Sequence, residues 1–516
     1  MSRFFNTAGP CNLEDHYMLP AASRLPDVTR LIAQKGYFVI HAPRQTGKTT
    51  AMLEMAHQLT QSGQYVAVLV SMEVGAAFNQ DPGAAELAIL AAWRNAAEAR
   101  LPDDLQPPAW PVSEPGQRIG TALRAWSKAS PRPLALFLDE IDALQDVALI
   151  SVLRQLRDGY PDRPRFFPWS LALIGLRDVR DYKVASGGSD RLNTASPFNI
   201  KVRSLTLSNF SAEDVSALYR LHSDETGQAF SPEAVKLAFC LTQGQPWLVN
   251  ALAKIVVEDL VPDVSQPITE DHIKQAKEEL IERQETHLDS LAERLREPRV
   301  RQIIEPMLAG KTLVDMPPDD IRFVQDLGLC RHTSVGGLVI ANPIYREVIP
   351  KVLAGTTTAS LPVIQPTWLK PDGSLDVNRL LEAFLAFWKQ HGQPLLGSVP
   401  YHEIASHLVL MAFLHRVVNG GGTLEREYAI GSGRMDLCLR YRDVTLAVEL
   451  KVWRDGESDP LNEGLLQIDG YLNGLGLDSG WLVIFDRRKN QPPISQRTAT
   501  ETAVTPSGRE VTVVRA

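Results

Sequence analysis

YFVIHAPRQTGKTT, Tyr37 to Thr50, is an apolar run that breaks into a polar loop and closes on Gly47, Lys48, Thr49 and Thr50. It follows the pattern G-x-x-x-x-G-K-[ST], in which a strand feeds a tight loop at a helix N-terminus. The loop N–H groups wrap nucleotide phosphates, the lysine reaches the outer phosphates, and the hydroxyl holds Mg²⁺. Ala42 stands where the pattern has its first glycine, whereas Gly47 supplies the second, where the backbone comes closest to the ligand. The apolar strand before the loop and the helix-like AMLEMAHQL after it complete the context. The stretch therefore predicts that Pro43, Arg44, Gln45, Thr46, Gly47, Lys48, Thr49 and Thr50 cradle phosphates, with Thr49 on the metal.

A carboxylate must serve the Mg²⁺ and the attacking water. About 90 residues downstream, LALFL (Leu134–Leu138) reads as a strand buried on both faces and ends in Asp139 and Glu140. This resembles the Walker B element of the ATPases with associated activities. The resemblance implies ATP as the nucleotide, Asp139 orienting Mg²⁺ and Glu140 polarising the water that attacks the γ-phosphate. Strand-like runs at Tyr37–Ile40, Tyr65–Val70, Leu134–Leu138 and Leu171–Ile174 alternate with helical stretches, which predicts an α/β P-loop fold with a parallel sheet. Arg177, after the fourth run, stands where related ATPases place a sensor of the γ-phosphate. In LTQGQPWLVNALAKIVV, Gly244 and Pro246 open an apolar-periodic helix. They resemble the G-x-P motif of signal-transducing and origin-recognition-like ATPases, which implies that Pro246 packs near the adenine of a helical lid. No base-reading residue stands out, so adenine rests on the family resemblance.

At 516 residues the chain has room for three or four domains, and an apolar fraction of 44% supplies their cores. Cys11, Cys240, Cys330 and Cys438 are too scattered for a zinc knuckle or a disulfide framework, which fits a reducing cytoplasm. No run of about 18 apolar residues exists, so neither export nor a membrane span is expected. A net charge of −8 opposes coating of nucleic acid by bulk charge and leaves room only for local contacts.

From Arg299 to Val352 the sequence gives two helices, a hairpin turning at Gly336 and Gly337, and another helix, which resembles a winged helix. Its second helix carries Asp319, Asp320 and Asp326 against Arg322, so packing or protein contact is favoured over DNA reading. AGTTTASLPVIQPTWLKPDGS is Thr/Ser/Pro-rich without helical period and reads as a linker. The expected division is an ATPase core over 1–205, a lid over 206–290, the winged-helix-like part over 291–355, a linker over 356–376 and a separate α/β domain over 377–516.

That last domain holds a second constellation in EREYAIGSGRMDLCLRYRDVTLAVELKVW. Two strand-like runs flank a turn near Arg440–Asp443, with Asp436 on the first and Glu449 and Lys451 on the second. Strand alternation puts Glu449 and Lys451 on one face, and a hairpin can bring Asp436 beside them. Two carboxylates suit Mg²⁺ or Mn²⁺, which can polarise a phosphodiester, and the lysine can orient the nucleophile. The pattern G-R-M-D then V-E-L-K resembles the PD-(D/E)XK nuclease superfamily. That resemblance implies Glu403 as a further metal ligand, and Gln467 and Tyr471 as the Q-x-x-x-Y pair of its exonuclease members. One lookalike fails: HEIASH at His402–His407 has its histidines five apart, about 140° around a helix, so both cannot reach one zinc.

The whole chain resembles prokaryotic fusions of such an ATPase to such a nuclease. The fusion implies a nucleotide-gated nuclease acting on nucleic acid, DNA above all, with a homo-oligomer through the ATPase domain and a setting in defence against foreign DNA. The rival reading is a nucleotide-switched sensor or scaffold whose C-terminal domain binds without cutting.

Overall fold

Four apolar runs buried on both faces, β1 (Tyr37–His41), β2 (Val66–Ser71), β3 (Leu134–Asp139) and β4 (Ser170–Gly175), together with a polar, exposed to half-buried edge strand, β5 (Arg203–Thr206), build a wholly parallel five-stranded sheet. The order across it is β2-β3-β4-β1-β5. The computed structural model describes residues 3–20, 24–177, 200–283, 286–308, 316–333, 336–360, 366–398, 405–418, 422–430 and 433–516. These divide into two compact units, residues 1–287 with 321–343, and residues 288–320 with 344–516.

In the first unit the crossovers from β1 to β2, from β2 to β3 and from β3 to β4 each carry helix, as parallel pairing requires. Phe38, Ile40, Phe137 and Ile174 on one sheet face meet α1 (Asp27–Ala33) and α2 (Lys48–Gln61) through Ile32, Met52 and Met55. Val39, Leu136 and Leu173 on the other meet Trp93 of α3 (Pro82–Arg100), Trp126 of α4 (Arg118–Ala129) and Val152 of α5 (Asp146–Gly159). Full burial of each such side chain stabilises by ~1.5–3 kcal/mol. At the outer edge of β2, side chains take the place of a strand. Thr60 Oγ1 accepts from Ala67 N–H and donates to Ala67 O, both at 2.9 Å, Arg100 donates to Leu69 O at 2.7 Å, and Trp93 to Ser71 O at 3.2 Å.

After β5 come α6 (Ala212–Thr226), α7 (Pro232–Thr242), α8 (Pro246–Lys254) and α9 (Glu270–Arg283). Ser211 starts α6 with a capping box to Asp214. Gly244, at φ 70°, has no room for a side chain, because a Cβ would lie 1.8 Å from Phe210 O. The N-terminal residues are strapped to these helices: Arg3 pairs with Glu225 at 2.8 Å, Phe5 meets Tyr219 edge-on, and Trp247 Nε1 donates to Thr7 O at 2.8 Å.

The next helices are α10 (Thr286–Arg294), α11 (Pro298–Leu308) and α12 (Pro318–Asp326). The antiparallel pair β6 (Cys330–His332) and β7 (Leu338–Ile340), with Gly336 and Gly337 both at positive φ between them, leads to α13 (Pro343–Ser360). The elements read as a winged helix are thus present in order.

The second unit contains a six-stranded mixed sheet, β12-β13-β11-β10-β9-β8. Its strands are β8 (Gly422–Ile430), β9 (Gly433–Tyr441), β10 (Val444–Trp453), β11 (Ser479–Asp486), β12 (Ala499–Val504) and β13 (Glu510–Arg515). Its helices are α14 (Val377–Ser398), α15 (Ala405–Val418), α16 (Leu461–Leu475) and the short α17 (Ile494–Arg497). Ile468 and Leu472 of α16 pack on Cys438, Ala447, Leu482 and Ile484. Trp388 of α14 meets Phe485, its ring centroid 5.1 Å away.

The stretch read as linker is more than a connection. Helix α13 runs to Ser360, Trp368 is buried, Leu369 bridges to Leu375, and Arg442 donates to Asp372 O at 2.8 Å. A buried tryptophan and a guanidinium on a backbone carbonyl hold residues 368–376 to the second unit. Pro/Ser/Thr composition alone does not report such anchors.

Candidate functional site

Because β4 lies between β1 and β3, the ends of those two strands stand two strand spacings apart, about 9.5 Å. The carboxyl ends of a parallel sheet beside such a break in order form a crevice, the usual seat of a ligand. The loop after β1 fills one side of it. Gln45 and Gly47 take left-handed φ of 57° and 83°, and Thr46 Oγ1 donates to Pro43 O at 2.9 Å, closing the turn. Lys48 Nζ donates to Ala42 O and Pro43 O, each at 2.8 Å, so the ammonium folds back on its own loop. Thr49 Oγ1 donates to Asp139 Oδ2 at 2.7 Å across the crevice. Thr50 Oγ1 accepts from Cys11 N–H at 3.0 Å.

Asp139 is buried, and its other oxygen accepts from Glu140 N–H at 3.0 Å; Glu140 itself sits at φ 56°. Burial lowers the Lys48 pKa against the pull of Asp142, Asp139 and Glu140. Burial raises Asp139, and burial together with Asp142 and Asp139 raises Glu140. A raised carboxylate is the better proton acceptor, which suits a group that positions water for attack. Thr49 and Asp139 are hard oxygen donors at hydrogen-bond distance, a pair that fits Mg²⁺ together with phosphate oxygens.

These residues line a cavity of about 450 Å³, which takes in Arg44, Gln45, Gly47 to Ala51, Asp139, Glu140 and Asp142, and extends to Thr7, Met18, Leu218, Pro246, Trp247 and Asn250. Pro246 is therefore on its wall. Arg177 turns elsewhere, ion-paired to Asp326 at 3.2 Å with its guanidinium 4.8 Å from the Phe323 ring centre. Two cavity residues carried no sequence signal. Arg24 donates to Thr46 O and Ser208 O at 2.8 and 2.6 Å, stacks over Phe210, and is pushed down to about 10 by burial. Asn250 interrupts the apolar run Pro246–Ala253 of α8.

In the second unit, antiparallel register pairs Leu437 of β9 with Val448 of β10, so Asp436 and Glu449 are the next residues along. Asp436 Oδ2 accepts from Leu450 N–H at 2.8 Å. Glu449 is 3% exposed and lies 3.3 Å from Lys451 Nζ. That ammonium reaches Glu463 at 3.1 Å and also bonds Gln467, both on α16. Burial, then the charge of Asp436, pushes Glu449 up to about 9. Burial opposes the Lys451 charge, but Glu449, Glu463 and Asp436 prevail and raise its pKa. Burial with Glu449 and Asp436 takes Tyr471 up to about 12.

The structure thus brings Asp436, Glu449, Lys451 and Gln467 together, with Tyr471 within their field. Glu403 lies outside the described residues. Among the described residues no group of three or more His, Cys, Asp or Glu stands in a metal-holding arrangement. Glu449 Oε2 is buried without a hydrogen-bond partner, an acceptor that a hard divalent cation would satisfy. Glu463 was missed, although its i,i+4 spacing to Gln467 on one helix was a usable signal.

No protein-family model matches the chain, and no curated protein matches it. Solved structures do. The chain is similar to a Walker-type ATPase of Pyrococcus abyssi, at 12% identity and TM-score 0.46, over 67% of this chain and 99% of the other. It is similar to the ORC1 protein of Aeropyrum pernix in complex with DNA, at 14% identity and TM-score 0.36, over 68% and 97%. It is also similar to the RuvB Holliday junction branch migration motor of Thermotoga maritima, at 14% identity and TM-score 0.34, over 62% and 90%. Among the described residues no helix is long and apolar enough to cross a membrane.

Proposed function

We propose that the first unit binds ATP with Mg²⁺ and hydrolyses it, and that the domain from residue 377 onward is a metal-dependent nuclease whose cutting depends on that nucleotide. The contact between Thr49 and Asp139, 2.7 Å across the crevice, carries the ATPase reading. It sets the hydroxyl of the phosphate loop against the carboxylate of a second strand, the oxygen pair that a nucleotide-bound magnesium needs. Mg²⁺ would neutralise charge on the phosphates. Lys48 exchanges its two loop carbonyls for phosphate oxygens, the loop N–H groups hold the remaining phosphates, and Glu140 orients the water and takes its proton. Pro246 closes the far end of the pocket. A homo-oligomer through this unit would add an arginine from the neighbouring copy to the γ-phosphate.

The nuclease half rests on the shared face of Asp436, Glu449 and Lys451 and on the unpartnered Glu449 oxygen. Asp436 and Glu449 would hold Mg²⁺ or Mn²⁺, which polarises the phosphodiester and acidifies a water. Lys451, kept in place by Glu463 and Gln467, then faces the scissile phosphate and offsets its developing charge, while Tyr471 completes the surroundings. DNA is the substrate proposed, and restriction of foreign DNA the setting.

The test incubates the purified protein with linear DNA, circular DNA or RNA in Mg²⁺ or Mn²⁺, with and without ATP, beside Lys48→Ala and Lys451→Ala. Cleavage lost in Lys451→Ala, and changed by ATP only when Lys48 is intact, is expected. ATP turnover without cleavage under any condition favours the sensor or scaffold instead.

A further inference from the structure

The cavity that contains the phosphate loop is also lined by Met18, Leu218, Pro246 and Trp247, apolar side chains of the kind that hold a flat base. One polar side chain on that wall is built differently from its neighbours. Asn250 lies one turn beyond Pro246 on α8 and is 8% exposed. Its Nδ2 donates to Pro246 O at 2.8 Å. That bond fixes the amide, because a flipped group would set its oxygen against the carbonyl. The remaining oxygen, Oδ1, is buried and has no hydrogen-bond partner. Tyr17 Oη and Arg24 Nε, on residues lining the same cavity, are likewise buried and unpartnered.

We infer that Asn250 is the base-reading residue of this site, its Oδ1 accepting the exocyclic N6 amino group of adenine. The inference rests on the proposed nucleotide site and names its base. A fixed acceptor in an apolar pocket selects for a donor. Adenine offers one at N6, whereas guanine and hypoxanthine present a carbonyl oxygen at C6, which would face Oδ1 acceptor to acceptor. Unsubstituted purine presents only hydrogen there and leaves Oδ1 as orphaned as before. A site that satisfies a buried polar group through its ligand discriminates strongly against analogues lacking the partner.

The experiment measures equilibrium dissociation constants by calorimetry in Mg²⁺ for ATP, ITP, GTP and purine riboside triphosphate, on the wild type, Asn250→Leu and Lys48→Ala. The wild type should bind ATP about tenfold or more tightly than ITP and purine riboside triphosphate. Asn250→Leu, close to asparagine in size, should erase that gap by weakening ATP while leaving the purine analogue nearly unchanged, with a thermal unfolding curve confirming the fold. Equal wild-type affinity for ATP, ITP and the purine analogue, lost together in Lys48→Ala, overturns the base assignment and keeps the nucleotide site. An equal loss for all nucleotides in Asn250→Leu also overturns it. A wild type that binds none of them overturns both.

Discussion

Lys48 and Lys451 each close a site, but by opposite means. Lys48 is satisfied by two neutral backbone oxygens of its own loop, while the carboxylates nearby stand off and Thr49 takes up one oxygen of Asp139. Lys451 is clamped by two glutamates and a glutamine, and still leaves Glu449 with an unpartnered, buried oxygen. The first site is short of an anion, since its lysine makes do with carbonyl dipoles. The second is short of a cation, since Glu449 and Glu463 share one ammonium and Glu449, beside Asp436, is pushed toward its protonated form. Two lysines beside acidic pairs therefore prepare for ligands of opposite charge, and the difference lies in what each ammonium touches.

The comparison breaks most visibly at Lys451. Lys451→Ala should lower cleavage at least a hundredfold, followed on a labelled oligonucleotide, with nucleotide affinity unchanged. Replacing Lys48 with Ala should weaken ATP binding by about ten- to a hundredfold, read by fluorescence of a labelled analogue, while Mn²⁺ binding at the second site stays intact. Equal loss of both properties in either variant would show the two sites to be one cooperative unit.

Glu449→Gln sharpens the contrast through pH. In the metal-free protein this carboxyl holds its proton up to about 9, whereas the unfolded chain loses it near 4.5. Folded protein therefore binds more protons within that window, and stability declines as pH rises through it. With chelator present, the melting temperature of the wild type should fall by a few degrees between pH 6 and pH 8. The Gln variant should hold steadier. Added Mn²⁺ should reverse the wild-type decline, since the metal displaces the proton. The smallest effect expected is at Arg177→Ala. Its ion pair with Asp326 is mostly buried, so the melting temperature should drop by several degrees, but ATP affinity, the property compared here, should change less than about threefold.

Local sequence carried four of the five parallel strands and the phosphate loop, because those four are continuous apolar runs and loop, lysine and hydroxyl are contiguous, whereas the edge strand β5, Arg203–Thr206, is polar and exposed to half-buried and gave no such signal. The tight turn of the β9–β10 hairpin, with Arg442 at φ 51°, was equally visible from its polar pair between apolar strands. Partners chosen by packing were not. Arg177 meets Asp326, 149 positions downstream, and nothing local to either residue announces it. Asn250 reads as a polar interruption of an apolar helix, and only the bond to Pro246 shows which atom is left over. Residues 368–376 looked like linker because composition reports propensity, whereas Trp368 is held by what surrounds it. Glu463 reaches Lys451 only because Ile468 and Leu472 press α16 onto the sheet.

The outer edge of β2 carries a consequence for how copies of this chain meet. Edge strands are templates on which a foreign strand can polymerise, and β2, buried and valine-rich, would be a hazardous one to leave open. Thr60, Trp93 and Arg100 occupy the hydrogen-bonding positions that an incoming strand would need. Any assembly of copies is thereby steered away from sheet extension on this side, and crowded, freshly made chains are denied a nucleus for aggregation there.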